Sequence, residues 1–446
     1  MMNHPLKPML RAEPIIPYNR FEWCCNHIWL HKQPLFMWHM ALSMKLFGVS
    51  EITARFPSIL MGSLMVVMLY GIARSMLNDK VAAFFAAILL CFCNYHLELI
   101  SGYNGTDHND VAFGFYVMAS LWAYQKYVSK KQIQFALLIG LFVGCAVLNK
   151  WLLGFVVFGG WGINMLVATK DKTIKKELLH FVVALLMAGL VFIPWRLYIL
   201  RTFPEEAGYV HKFNSRHITE VLEGHKGSIF YYFRQMPVYF GWLGLPFLGW
   251  GGCILLSRIV KQVRDKKNEV MWFSVAIMVF LFFSLVVKTK WPPYVFLIAP
   301  LGFICIAAGL QAARKRLHNK PILMSVIVIA ACLIVFSPVA LVKAHNPNDP
   351  YRLAKIHNTI IYKQLSNELP ANVKIVLNVV SFEDLDVMFY NNNLNAYSWL
   401  LNPQAIDSLQ KADVPIAVFK AHGLYGIPEQ VSHYNKTLII DKELRE

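Results

Sequence analysis

Apolar residues along this chain gather in long runs, and ten of these have the roughly 17–25 residues that a helix needs to cross a bilayer. They lie at 56–77, 81–98, 110–128, 133–149, 151–168, 179–201, 237–257, 270–287, 292–312 and 321–343. Residues 34–48 are apolar but too short to span, and with Trp38, His39 and Lys45 among them they predict a helix lying in the interface. Ahead of it, residues 1–33 are polar, rich in Pro, Trp and His, and read as a loop. After residue 344 the pattern changes. The stretches 373–380 and 416–419 predict strands, 381–389 and 403–411 predict helices, and the asparagine run 390–393 predicts a turn. The expected organisation is a loop and interfacial helix (1–55), a membrane domain (56–343) and a small α/β domain (344–446).

Composition agrees with a membrane protein. Of 446 residues, 57% are hydrophobic and only 15% charged, too apolar a balance for a soluble protein of this length. The net charge of +17 does not indicate nucleic acid, because the basic residues form short clusters between apolar runs instead of one stripe. They are a topology signal. Alternate connections hold Arg74 and Lys80; Lys126, Lys130 and Lys131; Lys170 to Lys176; Arg258 to Lys267; and Arg314 to Lys320, which places those connections in the cytoplasm. The N-terminal loop, the loop at Asp107, the turn at Lys150, the segment 202–236, the turn 288–291 and the tail then face outward. Cys91, Cys93, Cys145, Cys253, Cys305 and Cys332 sit in apolar runs as small hydrophobes, and the adjacent Cys24 and Cys25 form no disulfide framework.

Candidate chemistry collects on that outer side. Asp107, His108, Asn109 and Asp110 stand between two apolar runs, where carboxylates are costly to desolvate. They either serve a reaction or cap the helix that begins there. His108 reads as a solvated loop histidine or, with the aspartates, as a weak metal pattern. Lys150 either contacts an anion or snorkels to the interface. Arg196, beside Pro194 and Trp195, is open between a phosphate contact and an interface marker. His225 lies in a glycine-bounded loop, and Lys288 and Lys290 oppose the positive-inside trend. Tyr231, Tyr232, Trp291 and Tyr294 suit either stacking on a ligand or an aromatic belt.

The order of Lys32-Gln-Pro-Leu-Phe-Met-Trp, Leu46-Phe-Gly, Ala54-Arg-Phe-Pro-Ser58 and a helix opened by Asp110 resembles the polyprenyl-phosphate-sugar-dependent glycosyltransferases of the GT-C superfamily. Protein O-mannosyltransferases and aminoarabinose lipid A transferases are the nearest branches. Asn149-Lys150, Ile193-Pro-Trp195, Gly224-His-Lys-Gly227 and the stretch from Phe283 through Lys288-Thr-Lys290 to Tyr294 and Pro300 continue it. The resemblance implies an all-α polytopic membrane protein, a GT-C-like bundle of about ten transmembrane helices with a small extracytoplasmic α/β domain. It implies a multi-pass protein of the cell (inner) membrane that moves a sugar, with inversion, from a polyprenyl-phosphate donor to a lipid or protein acceptor. Such transfer needs a base for the acceptor and cations for the departing phosphate. The resemblance assigns Asp110, with Asp107 beside it, as catalytic residues. Lys150, Lys32, Arg196, Lys288 and Lys290 become donor-phosphate ligands, and His108, His225, Tyr231 and Tyr294 substrate contacts. No cofactor is certain, no metal ligands are assigned, and a divalent metal is possible.

One departure stands out. The family's first acidic motif has no counterpart, Glu13 and Glu22 being the only carboxylates before the membrane, and His31 stands where relatives often carry Glu. The expectation is a chain missing an upstream helix. Two further readings remain: a non-catalytic relative that binds polyprenyl lipid, and a transporter or flippase, although no internal repeat supports the latter.

Overall fold

The computed structural model describes residues 1–11, 28–103, 108–168, 171–222, 224–317, 346–398, 403–420 and 429–446, with 322, 323, 325, 326, 329 and 427 between them. The chain divides into two units: residues 1–8 with 30–341, and residues 9–29 with 342–446.

The first unit is helical. Short α1 (Leu35–Phe47) precedes α2 (Glu51–Leu77), α3 (Lys80–Cys91), α4 (Asn94–Ser101), α5 (Asn109–Lys130), α6 (Ile133–Lys150), α7 (Val156–Ala168), α8 (Asp171–Thr202) and α9 (Pro204–Thr219). There follow α10 (Tyr231–Phe240), α11 (Gly244–Gln262), α12 (Lys267–Leu281), the single turn α13 (Pro293–Phe296) and α14 (Ala299–Arg316). Local chemistry sets the ends. Ser50 and Thr53 form a reciprocal capping box that starts α2 five residues before the apolar run. Asp79 caps α3 through the Val81 and Ala82 amides and also pairs with Arg314, which ties the end of α14 to that turn.

Helix α5 folds back on α6 through Lys131, a left-handed C-cap with φ 53°, and Gln132. Along the contact of α6 with α8, Gly140 and Gly144 face Ala184 and Ala188, and a Cβ on Gly140 would collide with the Ala184 carbonyl. Small residues four apart on both helices let the backbones approach, which is how helices associate where lipid supplies no hydrophobic drive. Gly251 of α11 makes the same close approach to Cys305 and Gly309 of α14.

Among the described residues, four stretches are long and apolar enough to cross a membrane: Glu51–Leu77, Ile133–Ala168, Thr173–Thr202 and Lys267–Val286. Two bent pairs, α3 with α4 (49°) and α10 with α11 (105°), raise this to six. That is fewer than the ten expected, and the reasons are physical. Helix α5 has Asn109 and Asp110 at its start and Gln125 and Lys126 inside it, whereas α14 is only 18 residues long and ends on three basic residues. The run at 321–343 falls almost wholly outside the described residues. The segment 202–236, expected only as a long outward connection, contains the polar helix α9. Its first turn carries Glu205 and Glu206 and its last turn Arg216 and His217, charges that match the helix dipole.

In the second unit, α15 (Pro350–Glu368) precedes β1 (Ile375–Leu377), α16 (Asp384–Tyr390), β2 (Asn395–Ala396), α17 (Pro403–Lys411), β3 (Ile416–Phe419), α18 (Glu429–Ser432) and β4 (Thr437–Ile440). All pairings are parallel, in the order β2-β1-β3-β4. The period of two along a strand decides what each face meets. Val376, Ala417 and Phe419 pack with Tyr362 and Leu365 of α15 and Val387 of α16; Ile375, Leu377 and Val418 pack with Ile406 and Leu409 of α17. The N-terminal loop is not wholly separate from this unit. Met9 bridges to Ile28, and Arg11 donates to the Ala396 carbonyl at 2.9 Å and pairs with Asp384 at 3.3 Å.

Candidate functional site

Two helix ends build the centre. Because α5 and α6 form a tight antiparallel hairpin, the first turn of α5 lies beside the last turn of α6. Asp110 and Lys150 thereby form an ion pair, each side chain 18% exposed. The Lys150 ammonium also lies 4.8 Å from the centre of the Tyr294 ring, a cation–π distance.

His108, the residue before α5, adopts a left-handed conformation with φ 54° and is buried. Its Nδ1 is 2.9 Å from the Ser58 hydroxyl, and the Arg55 guanidinium lies against the imidazole. Arg55 and Ser58 belong to the Ala54-Arg-Phe-Pro-Ser58 stretch, so that motif holds the entrance to α5 in place.

After Lys150 the backbone leaves the helix abruptly. Lys150 has φ −136° and ψ 34°; Trp151 has φ 60° and ψ −150°, a region that a bulky residue rarely occupies. Such a conformation costs about 1–3 kcal/mol. The Trp151 ring carries the Arg196 guanidinium at 4.7 Å, and a cation–π contact of about 0.5–2 kcal/mol is of the size needed to offset much of that strain. Trp151 and Arg196 also wall a cavity of about 20 Å³ with Gln33, Leu30, His211 and Asn214.

A second group surrounds the segment 288–291. Lys290 is buried, and its ammonium donates to the carbonyls of Phe283, Ser284 and Val287, where α12 ends in a π-helical turn, Phe282–Val286. Those carbonyls have no intrahelical partner, so one lysine closes the helix end with all three protons. Burial, with the nearby Lys288 charge adding, holds this ammonium below its ordinary value. Lys288 is exposed. The strip is bound to the preceding loop by the Lys288 amide to the Ile218 carbonyl (3.1 Å), the Thr289 amide to His217 (3.2 Å) and the Lys290 amide to His225 (2.9 Å). His225 and Trp291 pack edge to face at 4.1 Å, and Tyr231 meets Tyr232 at 5.1 Å.

Of the residues singled out in the sequence, Asp110, Lys150 and Tyr294 therefore come together, and His225, Lys288 and Lys290 share one clamp that leads into Tyr294. Arg196 engages Trp151, and Lys32 is half-buried ahead of α1. Asp107, Glu13, Glu22, Cys24 and Cys25 lie outside the described residues. Sequence reasoning missed Trp151 as well as Arg55 and Ser58 as the groups that hold His108. The Pro-containing stretch at 54–58 was a usable signal for the latter two. Among the described residues no group of three or more His, Cys, Asp and Glu gathers as a metal site.

The arrangement has relatives. The dolichyl-phosphate-mannose-protein mannosyltransferase family matches residues 31–198. An uncharacterized protein of Aquifex aeolicus is 28% identical over 310 residues, which are 68% of this chain and 58% of that protein. Undecaprenyl phosphate-alpha-4-amino-4-deoxy-L-arabinose arabinosyl transferase 2 of Proteus mirabilis is 28% identical over 291 residues, 62% of this chain and 49% of that protein. The chain thus spans between about half and three-fifths of the length of these curated relatives. Among solved structures, ArnT from Cupriavidus metallidurans bound to undecaprenyl phosphate superposes with a TM-score of 0.64 at 19% identity, covering 91% of this chain and 87% of that one. The Archaeoglobus fulgidus oligosaccharyltransferase gives 0.54 at 15% identity, covering 87% and 58%. The chain shares the fold of these two solved structures, and its sequence likeness to the mannosyltransferase family extends over residues 31–198.

Proposed function

We propose that this chain moves a sugar from a polyprenyl-phosphate donor to a lipid or protein acceptor on the outer face of the cell (inner) membrane, through about ten spanning helices. The observation that carries the proposal is the Asp110–Lys150 pair at adjoining helix ends with Tyr294 beside it. Likeness to proteins named undecaprenyl-phosphate aminoarabinose transferases supports the donor class. In this reading Asp110 takes the acceptor hydroxyl proton while that oxygen attacks the anomeric carbon from the face opposite the leaving group. The bond to phosphate breaks with inversion, and the bond's electron pair leaves with the polyprenyl phosphate. Lys150 stabilises that departing charge as a compact cation, assisted by Lys32 and the exposed Lys288. Asp107 is the assisting carboxylate. His225, Tyr231 and Tyr294 supply sugar-facing surface, His108 positions Asp110 from behind, and Lys290 acts as scaffold.

The test uses the full chain reconstituted in liposomes with an undecaprenyl-phosphate donor radiolabelled in its sugar. Passage of label from lipid to an acceptor fraction, lost in Asp110→Asn, is the expected result. Label that stays on the lipid while unlabelled undecaprenyl phosphate competes for binding would instead make the chain a lipid-binding relative.

A further inference from the structure

The turn that ends α6 is built in a way that the proposed chemistry does not by itself require. A helix can be stopped after a lysine by a glycine or an asparagine at no conformational cost. Here the stopping residue is Trp151 at φ 60° and ψ −150°, while its amide still bonds to the Val147 carbonyl one turn back. The helix is therefore complete up to this position, and the whole change of direction falls on Lys150 and Trp151. The Trp151 ring does not pack into the bundle core; it lies under the Arg196 guanidinium of α8, a helix that also makes the close glycine contact with α6. Strained conformations persist only where their surroundings over-determine them, and they concentrate at functional positions.

We propose that Trp151 is a positioning residue, locked in its unusual conformation by Arg196, and that this lock aims the Lys150 ammonium at Asp110. The proposal rests on the Asp110–Lys150 reading and deepens it: Arg196 acts through the Trp151 ring instead of touching the donor. Lys150 itself departs from helical torsions in this turn, with φ −136° and ψ 34°, so relaxation of the two-residue turn would add another turn to α6 and redirect the Lys150 side chain away from its partner. Arg suits this role better than Lys because its planar cation stacks flat on an aromatic face.

Trace acetylation of the purified full chain, with each lysine quantified by mass spectrometry, tests this without reference to donor or acceptor. The rate at Lys150 is measured against that at exposed Lys288. Asp110→Asn is expected to raise the ratio by freeing the amine. Trp151→Ala, which removes the ring but keeps a Cβ in the strained turn, and Arg196→Met should each raise it about two- to fivefold, the size of a partly exposed cation–π contact. The double variant should rise no further than either single one, since both break the same lock. Trp151→Phe, which keeps a ring under Arg196, should stay near wild type. If Asp110→Asn leaves Lys150 unchanged, the ion pair is wrong and both readings fall. If Asp110→Asn raises the ratio while Trp151→Ala and Arg196→Met do not, the positioning role alone is overturned. Should Trp151→Ala fail to fold, Arg196→Met, which leaves the turn's sequence intact, decides between these outcomes.

Discussion

The two ends of α5 each place a carboxylate against lysine, and they do so to opposite effect. They are separated by 22 residues, or about 33 Å of helix. At the far end Glu177 is only 3% exposed. It is met by Lys267 at 3.1 Å, Lys131 at 3.5 Å and the Trp161 indole N–H at 3.4 Å. Four elements, the α5–α6 turn, α7, α8 and α12, are bolted together around this buried carboxylate. At the near end Asp110 has one lysine, keeps partial exposure and stands beside strained backbone. The same chemistry is closed in one place and open in the other. In the proposed reading, the open coordination of Asp110 is what sets it apart from the closed coordination of Glu177.

The largest difference between the ends should appear in activity. Asp110→Asn is expected to reduce sugar transfer by about 10²–10⁴-fold, the range of a general base, while leaving the melting temperature nearly unchanged. Equal activity in the variant would erase the distinction. The converse holds at Glu177. Removing its charge by Glu177→Gln leaves two lysines facing an interior without a counterion, which should cost about 3 kcal/mol of stability. The surviving folded protein should keep its specific activity, so a variant that melts normally but transfers poorly would show that the far end also takes part. Gly144→Leu joins the two, because α6 crosses α8 there and carries Lys150 at its end. Overpacking that crossing is expected to cost about 1–3 kcal/mol and to lower transfer as well, measured by thermal melting and by the liposome assay.

The smallest effect is a pH dependence confined to the far end. Burial, offset in part by Glu177, depresses the Lys131 ammonium below its ordinary 10.5. The unfolded chain then binds this proton more tightly than the folded one. Stability should therefore rise as pH climbs from the depressed value toward 10.5, with the full penalty present below that window. The alkaline rise in melting temperature should be weaker in Lys131→Gln than in wild type, and an identical rise in both would remove Lys131 as its source.

Much of this contrast was hidden in the sequence for definable reasons. Helix existence was legible because the apolar runs are long: the run at 133–149 became Ile133–Lys150, and that at 56–77 became a helix extended to Glu51 by its capping box. The polar helices were overlooked even though their signals were present. Asp349 followed by Pro350 is a strong helix start, and its side chain does accept from the Arg352 amide. The partnership of Asp110 with Lys150 spans 40 positions and emerges only once the two helices are folded on each other. The kink at Trp151 had no composition signal at all, because the residue type argues against the conformation it adopts. Lys290 looked like an anion ligand because charge near an outer turn is all that a sequence displays; its three carbonyl partners exist only after α12 has unwound into its last turn.

The strand order of the tail has a consequence of its own. With β2 and β3 on opposite sides of β1, the connections leave the sheet in opposite directions, and in open parallel sheets such a split is where a crevice opens past the strand ends. Here Asn378, just beyond β1 with φ 61°, donates across the split to the Phe419 carbonyl at 3.1 Å and is itself buried. One amide thus ties the carboxyl ends of β1 and β3 together across the seam where such sheets ordinarily receive a guest.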